Sequence, residues 1–390
     1  MKLFGNSKRS RHSSGRSYRR DGEPVRRRRA DYIDERYNYI DEKPKKKKKK
    51  NKKKKSGFRK FVTTIFVLLA IGAGVYAGLK IYVRPPDVDS GILSDSGTET
   101  AGREKDKYTF LLLGKDVVSG NTDTIMIGMF DAKEYTLNVV SIPRDTLVNV
   151  YWSTKKANTL YTPDNMDETM DGFANLLGYE IDFYGVVDLE AFVHLVDAIG
   201  GVWYDVPDVE GNGQGMNYED PEQDLYIHLE PGYQLLNGEQ AIGIVRYRKG
   251  YANQDIGRIE SQQHFLMAAA EQILANKDSI SVTDLISVFL KYVETDLDYG
   301  ECAWFAKELM KMDSEDIQFH TLPGNYNDTV NGRSYVTIYV DEWLEMINTY
   351  LNPFNVDIQE SNLDILTRDP ETNKIYSTSG VYADSPNWGN

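Results

Sequence analysis

One apolar run stands apart along the 390-residue chain. Residues 61–79 (FVTTIFVLLAIGAGVYAGL) carry no charge, and IYV extends the run past Lys80. About 20 apolar residues cross a hydrocarbon core of about 30 Å, so the pattern predicts a single transmembrane helix over 59–84. Beyond it the apolar runs shorten and begin to alternate with helical patterns. YTFLLLG (108–114), TIMIGMF (124–130) and TLNVVSIP (136–143) are aliphatic, bounded by Gly, Asp or Pro, and read as strands. The first two are nearly continuous, which predicts burial on both faces. Helical spacing follows at about 166–178 and 188–199, the latter closed by Gly200-Gly201. VWYDV (202–206) reads as a strand, 207–224 as a polar Gly-rich loop, and Tyr226–Leu229 as a short strand.

LNGEQAIGI (236–244) has a helical pattern, and IVRYR (244–248) reads as a strand or strand edge. From Asp255, a plausible cap, apolar residues at 259, 265, 266, 269, 273 and 274 predict a long helix. Further helices are expected at 281–292, 300–312 and 341–352, with a strand near 317–322. This alternation predicts an α/β fold: an α-β-α sandwich with a central mixed sheet, preceded by the transmembrane helix.

Charge divides the chain at the same place. The first 60 residues hold 25 Lys and Arg against 7 Asp and Glu, and the remainder 21 against 52. The overall net charge of −13 therefore hides two opposite halves. The positive-inside rule places the N-terminus in the cytoplasm and the rest outside the cell membrane, a single-pass type II arrangement. A cleaved signal peptide is the weaker reading, because the apolar run starts late, is long, and lacks a small-x-small site before Pro85. Residues 1–58, with KPKKKKKKNKKKK at 43–55, cannot bury a core. Beside a membrane span, a lysine run of this kind points to anionic lipid headgroups; no nucleic acid is expected as a partner. Residues 85–106 read as a linker, 107–352 as the extracytoplasmic domain and 353–390 as a polar C-terminal tail. Cys302 is the only cysteine, so no intrachain disulfide exists, which fits a Gram-positive surface better than a eukaryotic secreted setting.

Four segments carry candidate chemistry: LLLGKD ending in Asp116, NTDT with Asp123, SIPRDT with Arg144 and Asp145, and IVRYRKGYANQDIGRIESQQ (244–263). On a strand, Arg246 and Arg248 at i, i+2 would share a side, with Arg258 opening the helix beyond. Three guanidiniums near one loop suit a doubly charged anion, and a pyrophosphate is the sharpest candidate. Two carboxylates at neighbouring strand ends can hold Mg²⁺, which takes one or two carboxylates plus phosphate oxygens. Asp116 and Asp123 also suit ordinary turns. His194 lies amid apolar helical residues, and Cys302 in ECAWFAKELM reads as a buried structural thiol.

These segments, with VDAIGGV (196–202) and LNGEQAI (236–242), resemble the LytR-CpsA-Psr family in the same order over about residues 107–275. The resemblance implies a phosphotransferase that moves an anionic glycopolymer, such as teichoic acid or capsule, from a polyprenyl-pyrophosphate carrier to peptidoglycan. It implies Mg²⁺ on Asp116 and Asp123, catalytic roles for Asp116, Asp123 and Arg144, and pyrophosphate binding by Arg144, Arg246, Arg248, Arg258 and Gln262. Two positions depart from the pattern: Asn121 and Ser261 stand where family members commonly carry Arg, with Lys115 or Lys249 as candidate substitutes. A non-catalytic binding module for lipid-linked wall precursors and a plain pyrophosphatase are the alternatives.

Overall fold

A computed structural model describes residues 63–74, 82–88, 102–115, 120–221, 225–249, 251 and 254–381. The chain divides into two units, Met1–Ile65 and Phe66–Asn390, and the fold below belongs to the second. The basic tail 1–58 lies outside the described residues. Of the predicted span 59–84, residues 63–74 are helical and exposed. Among the described residues no helix is long and apolar enough to cross a membrane.

Six strands form the central sheet in the order β10-β3-β2-β1-β4-β9. They are β1 (Lys107–Lys115), β2 (Thr122–Asp131), β3 (Thr136–Ser141), β4 (Phe183–Val187), β9 (Glu294–Thr295) and β10 (Ile317–Thr321). β1 runs antiparallel to β2 and parallel to β4, while β3 runs antiparallel to β2 and parallel to β10. The sheet is therefore mixed, as the alternating pattern predicts.

Strand alternation sends successive side chains to opposite faces, and both faces are covered. Leu111, Leu113, Ile125 and Ile127 join a core with Phe173 and Leu176 of helix α1 (Met166–Leu177). On the other face Tyr108, Phe130 and Phe183 pack around Phe305, with Met267 and Leu274 against them. Local signals start and stop the helices: Asn165 caps α1 through Glu168 N–H, and Gly178 ends it at φ 81°.

A third core lies beyond the sheet edge, where α2 (Leu189–Ala198), α3 (Gly238–Arg246) and α4 (Gln254–Ala275) meet two hairpins. The hairpins pair β5 (Val202–Val206) with β8 (Gly232–Leu236) and β6 (Met216–Asp220) with β7 (Leu225–Leu229). Phe265 of α4 packs here with Val202, Ile227 and Ile244. The Gln263 amide donates to Ser141 Oγ at 2.9 Å and His320 O at 2.8 Å, at the ends of β3 and β10. That bond pair fixes α4 across the strand ends and aims its N-terminus at the end of the sheet.

Three expectations need correction. IVRYR is not a strand: Ile244 to Arg246 close α3, and only Tyr247 onward is extended. An Asn237–Gln240 capping box nucleates the helix, and burying Ala241 and Ile244 at helical spacing outweighs the β-like composition. The polar loop 207–224 contains β6, because Met216 is fully buried, in register with Leu229 of β7. Residues 353–381 are no loose tail: Phe354, Ile358, Leu363 and Ile365 belong to the main core, and strand Leu366–Arg368 pairs with strand Ile375–Ser377.

Gly238, at the start of α3, lies against α2. A Cβ there would stand 2.4 Å from the Val193 backbone oxygen, which cannot swing aside. Gly238→Ala should therefore cost about 1–3 kcal/mol of overpacking. In urea unfolding, the midpoint should fall while the slope stays constant.

Candidate functional site

Four chain segments bring one cluster of charge together. Asp123 is the second residue of β2, Arg144 follows β3, Arg248 lies two residues beyond α3, and Arg258 sits in the opening turns of α4. Arg144 Nη1 donates to Asp123 Oδ1 at 2.8 Å, and Arg248 Nη2 donates to Asp123 Oδ2 at 2.8 Å. Arg258 Nη1 stands 3.9 Å from Asp123 Oδ2, and its Nη2 donates to the Asp123 backbone oxygen at 3.4 Å. Asp255, also on α4, lies 3.5 Å from Arg258 Nη2 and 3.9 Å from Arg144 Nη2. Asp145 is engaged by Lys156 at 3.0 Å.

Positive charge exceeds what these carboxylates neutralise. Burial acts to raise the Asp123 pKa, but the Arg144 hydrogen bond and the charges of Arg258, Arg144 and Arg248 win and hold it below the usual range. Burial, joined by repulsion from Arg248, pulls the Arg258 guanidinium down to about 10 despite Asp123 and Asp255. The Arg258 side chain is 3% exposed, yet its Nε and Nη1 have no hydrogen-bond partner, nor does Arg144 Nε. Buried guanidinium N–H groups left unmade are costly, and an anion's oxygens would satisfy them.

Two cavities share this cluster. The larger, about 610 Å³, is walled by Leu112, Val187, Leu189, Phe192, Leu225 and Leu266. Its polar side carries Asp123, Arg246, Arg248, Arg258 and two lysines, Lys115 and Lys249. The smaller, about 50 Å³, is polar and includes Arg144, Asp145, Asp255, Tyr326 and Ser334. Asp123, Arg258 and Gln262 line both. Gly114 lets the end of β1 approach the site: a Cβ there would lie 2.8 Å from Thr124 Cβ, beside a bulge at Gly114/Lys115.

The structure thus brings together Asp123, Arg144, Arg248, Arg258 and Gln262, with Arg246 on the cavity wall from the last turn of α3. The i, i+2 strand argument for Arg246 and Arg248 does not hold, although both reach the same cavity. Gln262 donates its amide to Val245 O at 3.0 Å, which ties α4 to α3. Asp116 lies outside the described residues. Ser261 is also clarified: it is buried and shares a hydrogen bond of 2.6 Å with Tyr251 OH, and it lines neither cavity. Its departure from the family pattern therefore removes no ligand from this cluster. Lys115, in register with Thr122 across the bulge, supplies a cation near Asn121. Asp255 was legible only as a cap, and the cleft residues Tyr326 and Ser334 had no sequence signal. Cys302 is buried and its thiol is pushed up to about 11 by burial and nearby acids, as suits a structural residue.

Among the described residues no group of three or more acidic, His or Cys side chains is placed to hold a metal ion. Asp123 is the one predicted metal ligand described, and guanidiniums engage both its oxygens. One carboxylate plus phosphate oxygens is nevertheless a donor set that Mg²⁺ accepts. Asp123 lines both cavities, so its carboxylate would suit the ion alongside oxygens of a bound anion.

An α/β sandwich with a cationic cluster at the polar side of an apolar cavity is the class of structure that this fold and site define. The chain belongs to the LytR_cpsA_psr family, whose model matches residues 76–351. It is 29% identical over 259 residues to the polyisoprenyl-teichoic acid–peptidoglycan teichoic acid transferase TagV of Bacillus subtilis, covering 61% of this chain and 65% of TagV. The chain thus spans just under two thirds of that relative's length. It is 28% identical over 290 residues to the corresponding transferase TagU of Bacillus anthracis, covering 70% of this chain and 90% of TagU. The crystal structure of B. subtilis TagV shares the fold, with a TM-score of 0.52 at 24% identity over 63% of this chain and 96% of that one.

The lowered Asp123 pKa has a sign that can be checked. Its contribution to stability is present above the unfolded carboxylate value of about 3.9 and is lost as pH falls through the lower folded value. Asp123→Asn should therefore differ from the natural chain in thermal stability at pH 6 and converge with it as pH falls below about 4.

Proposed function

We propose that this chain transfers an anionic glycopolymer from a polyprenyl-pyrophosphate carrier to peptidoglycan, leaving a phosphodiester. The observation that carries the reading is the contact between an apolar cavity and a buried, under-neutralised guanidinium cluster. A polyprenyl pyrophosphate has this same division: an isoprenoid chain beside a doubly charged diphosphate. Membership of the family and the names of its relatives TagV and TagU support the transferase class.

In this reading the carrier's first isoprene units lie against Leu112, Phe192 and Leu266, while Arg144, Arg248 and Arg258 bind the diphosphate oxygens. Arg246 and Lys115 add positive charge at the cavity wall. The arginines neutralise charge that builds on the bridging oxygen as the bond to the sugar-side phosphorus breaks. Mg²⁺, held by Asp123, by Asp116 and by phosphate oxygens, would supply further charge neutralisation. The transmembrane helix over 59–84 and the basic tail would hold the domain at the outer membrane face, close to its lipid substrate.

Each charge-assisted contact is worth about 1.5–3 kcal/mol, so Arg248→Ala and Arg258→Ala should each weaken binding of a polyprenyl pyrophosphate about 10- to 100-fold. Titration of the full chain in detergent with a fluorescent short-chain polyprenyl pyrophosphate checks this, and unchanged affinity in both variants would sink the site. Incubation with a lipid-linked glycopolymer and peptidoglycan fragments should give a phosphodiester adduct by mass spectrometry. Release of polyprenyl phosphate without adduct would instead identify a pyrophosphatase. Chelation of divalent cations should lower donor affinity, read in the same titration.

A further inference from the structure

Two cavities, one mostly apolar and one with a larger polar share, meet at Arg258. The apolar one takes the lipid under the proposed function, on which the present step rests. The small polar cleft adjoins the same Asp123–Arg258–Gln262 wall. Displacement at phosphorus places the incoming oxygen roughly in line with the leaving one. With the lipid phosphate leaving toward the apolar cavity, the incoming hydroxyl needs a separate polar approach, and the small cleft is one.

Three carboxylates line that cleft, and they are not equivalent. Asp123 accepts from two guanidiniums at 2.8 Å each. Asp145 accepts the Lys156 ammonium at 3.0 Å. Asp255 has only the longer contacts, 3.5 Å to Arg258 and 3.9 Å to Arg144, and its side chain is 43% exposed. It lines the polar cleft and not the lipid cavity. The cleft also holds Arg258, whose buried Nε and Nη1 have no hydrogen-bond partner. A polar group of an incoming anion therefore has donors beside this carboxylate.

We propose that the small cleft admits the acceptor hydroxyl and that Asp255 is the carboxylate that takes its proton. The hydroxyl oxygen forms a bond to the sugar-side phosphorus as its proton passes to Asp255. The bond from that phosphorus to the bridging oxygen breaks, and its electron pair leaves on polyprenyl phosphate. Asp255 then returns the proton to water through its exposed side. The donor's two negative charges become one on the phosphodiester and two on the lipid phosphate, balanced by the released proton. Around Asp255 stand Arg144 and Arg258, the carboxylates Asp123 and Asp145, and the phenols of Tyr326 and Tyr335.

The test uses the full chain in detergent with a lipid-linked glycopolymer donor and a peptidoglycan glycan fragment. Asp255→Asn should bind donor within about threefold of the natural chain while transfer falls about 100-fold or more, in the range of a lost general base. The acid limb of the transfer rate should vanish in Asp255→Asn and persist, at lower rate, in Asp255→Glu. Transfer by Asp255→Asn within about threefold of the natural chain would overturn the assignment, as would parallel loss of donor binding and transfer. Should Asp255→Asn not fold, a missing acid limb in Asp255→Glu would overturn it equally. The proposed function fails separately: a natural chain that binds donor but yields no adduct defeats both.

Discussion

The site is organised by one carboxylate among three guanidiniums. Without Asp123, Arg144, Arg248 and Arg258 would stand close together with mutual repulsion and little compensation. With it, segments from β2, the turn after β3, the end of α3 and the start of α4 converge on one point. The neutralisation is incomplete by construction, because Arg258 is buried and two of its N–H-bearing nitrogens face no acceptor. Incomplete neutralisation holds the cluster together while leaving buried donors unmade, the feature on which the proposed diphosphate binding rests.

The fold's rigid parts keep this arrangement in place. The six-stranded sheet presents Asp123 and Arg144 from neighbouring strand ends, and the Gln263 bonds to β3 and β10 fix α4 above them. The Gln262 bond to Val245 joins α4 to the end of α3, from which Arg246 and Arg248 project. A single helix thus sets the distances between the cluster's basic residues. Helix α4 also lines the apolar cavity through Leu266, two turns past Arg258, so the charged cluster and the apolar wall share one element.

Much of this was legible in the sequence, and the failures have physical causes. Short aliphatic runs with Gly or Pro boundaries gave β1, β2 and β3, because buried strands have little freedom of composition. IVRYR looked like a strand because Ile, Val and Tyr favour sheets, but the capping box upstream had already set a helical phase. β6 is hard to read because its alternation is short and weak: Met216 is fully buried, Tyr218 only half-buried, and Asp220 on the same face is polar. Ser261 stands where the family motif commonly carries Arg. It is one residue from Gln262, about 100° around a helix, and that rotation turns it toward Tyr251.

Asp255 shows why a cap and a site residue are hard to separate from sequence. An acid in the first turn of a helix is favoured by the helix dipole alone, so its presence needs no chemistry. What sets it apart is a contact pattern that only the fold supplies: two arginines from different elements, Arg258 at 3.5 Å and Arg144 at 3.9 Å, neither as short as the 2.8 Å bonds that Asp123 receives from Arg144 and Arg248. A carboxylate close to cations yet bonded to none of them at 2.8 Å, with its side chain 43% exposed, is the one the proposed proton transfer uses. Asp123, bonded at 2.8 Å by Arg144 and Arg248, serves instead as the anchor of the cluster. The division of labour between the two acids follows from distance, since donor and acceptor chemistry is identical in both.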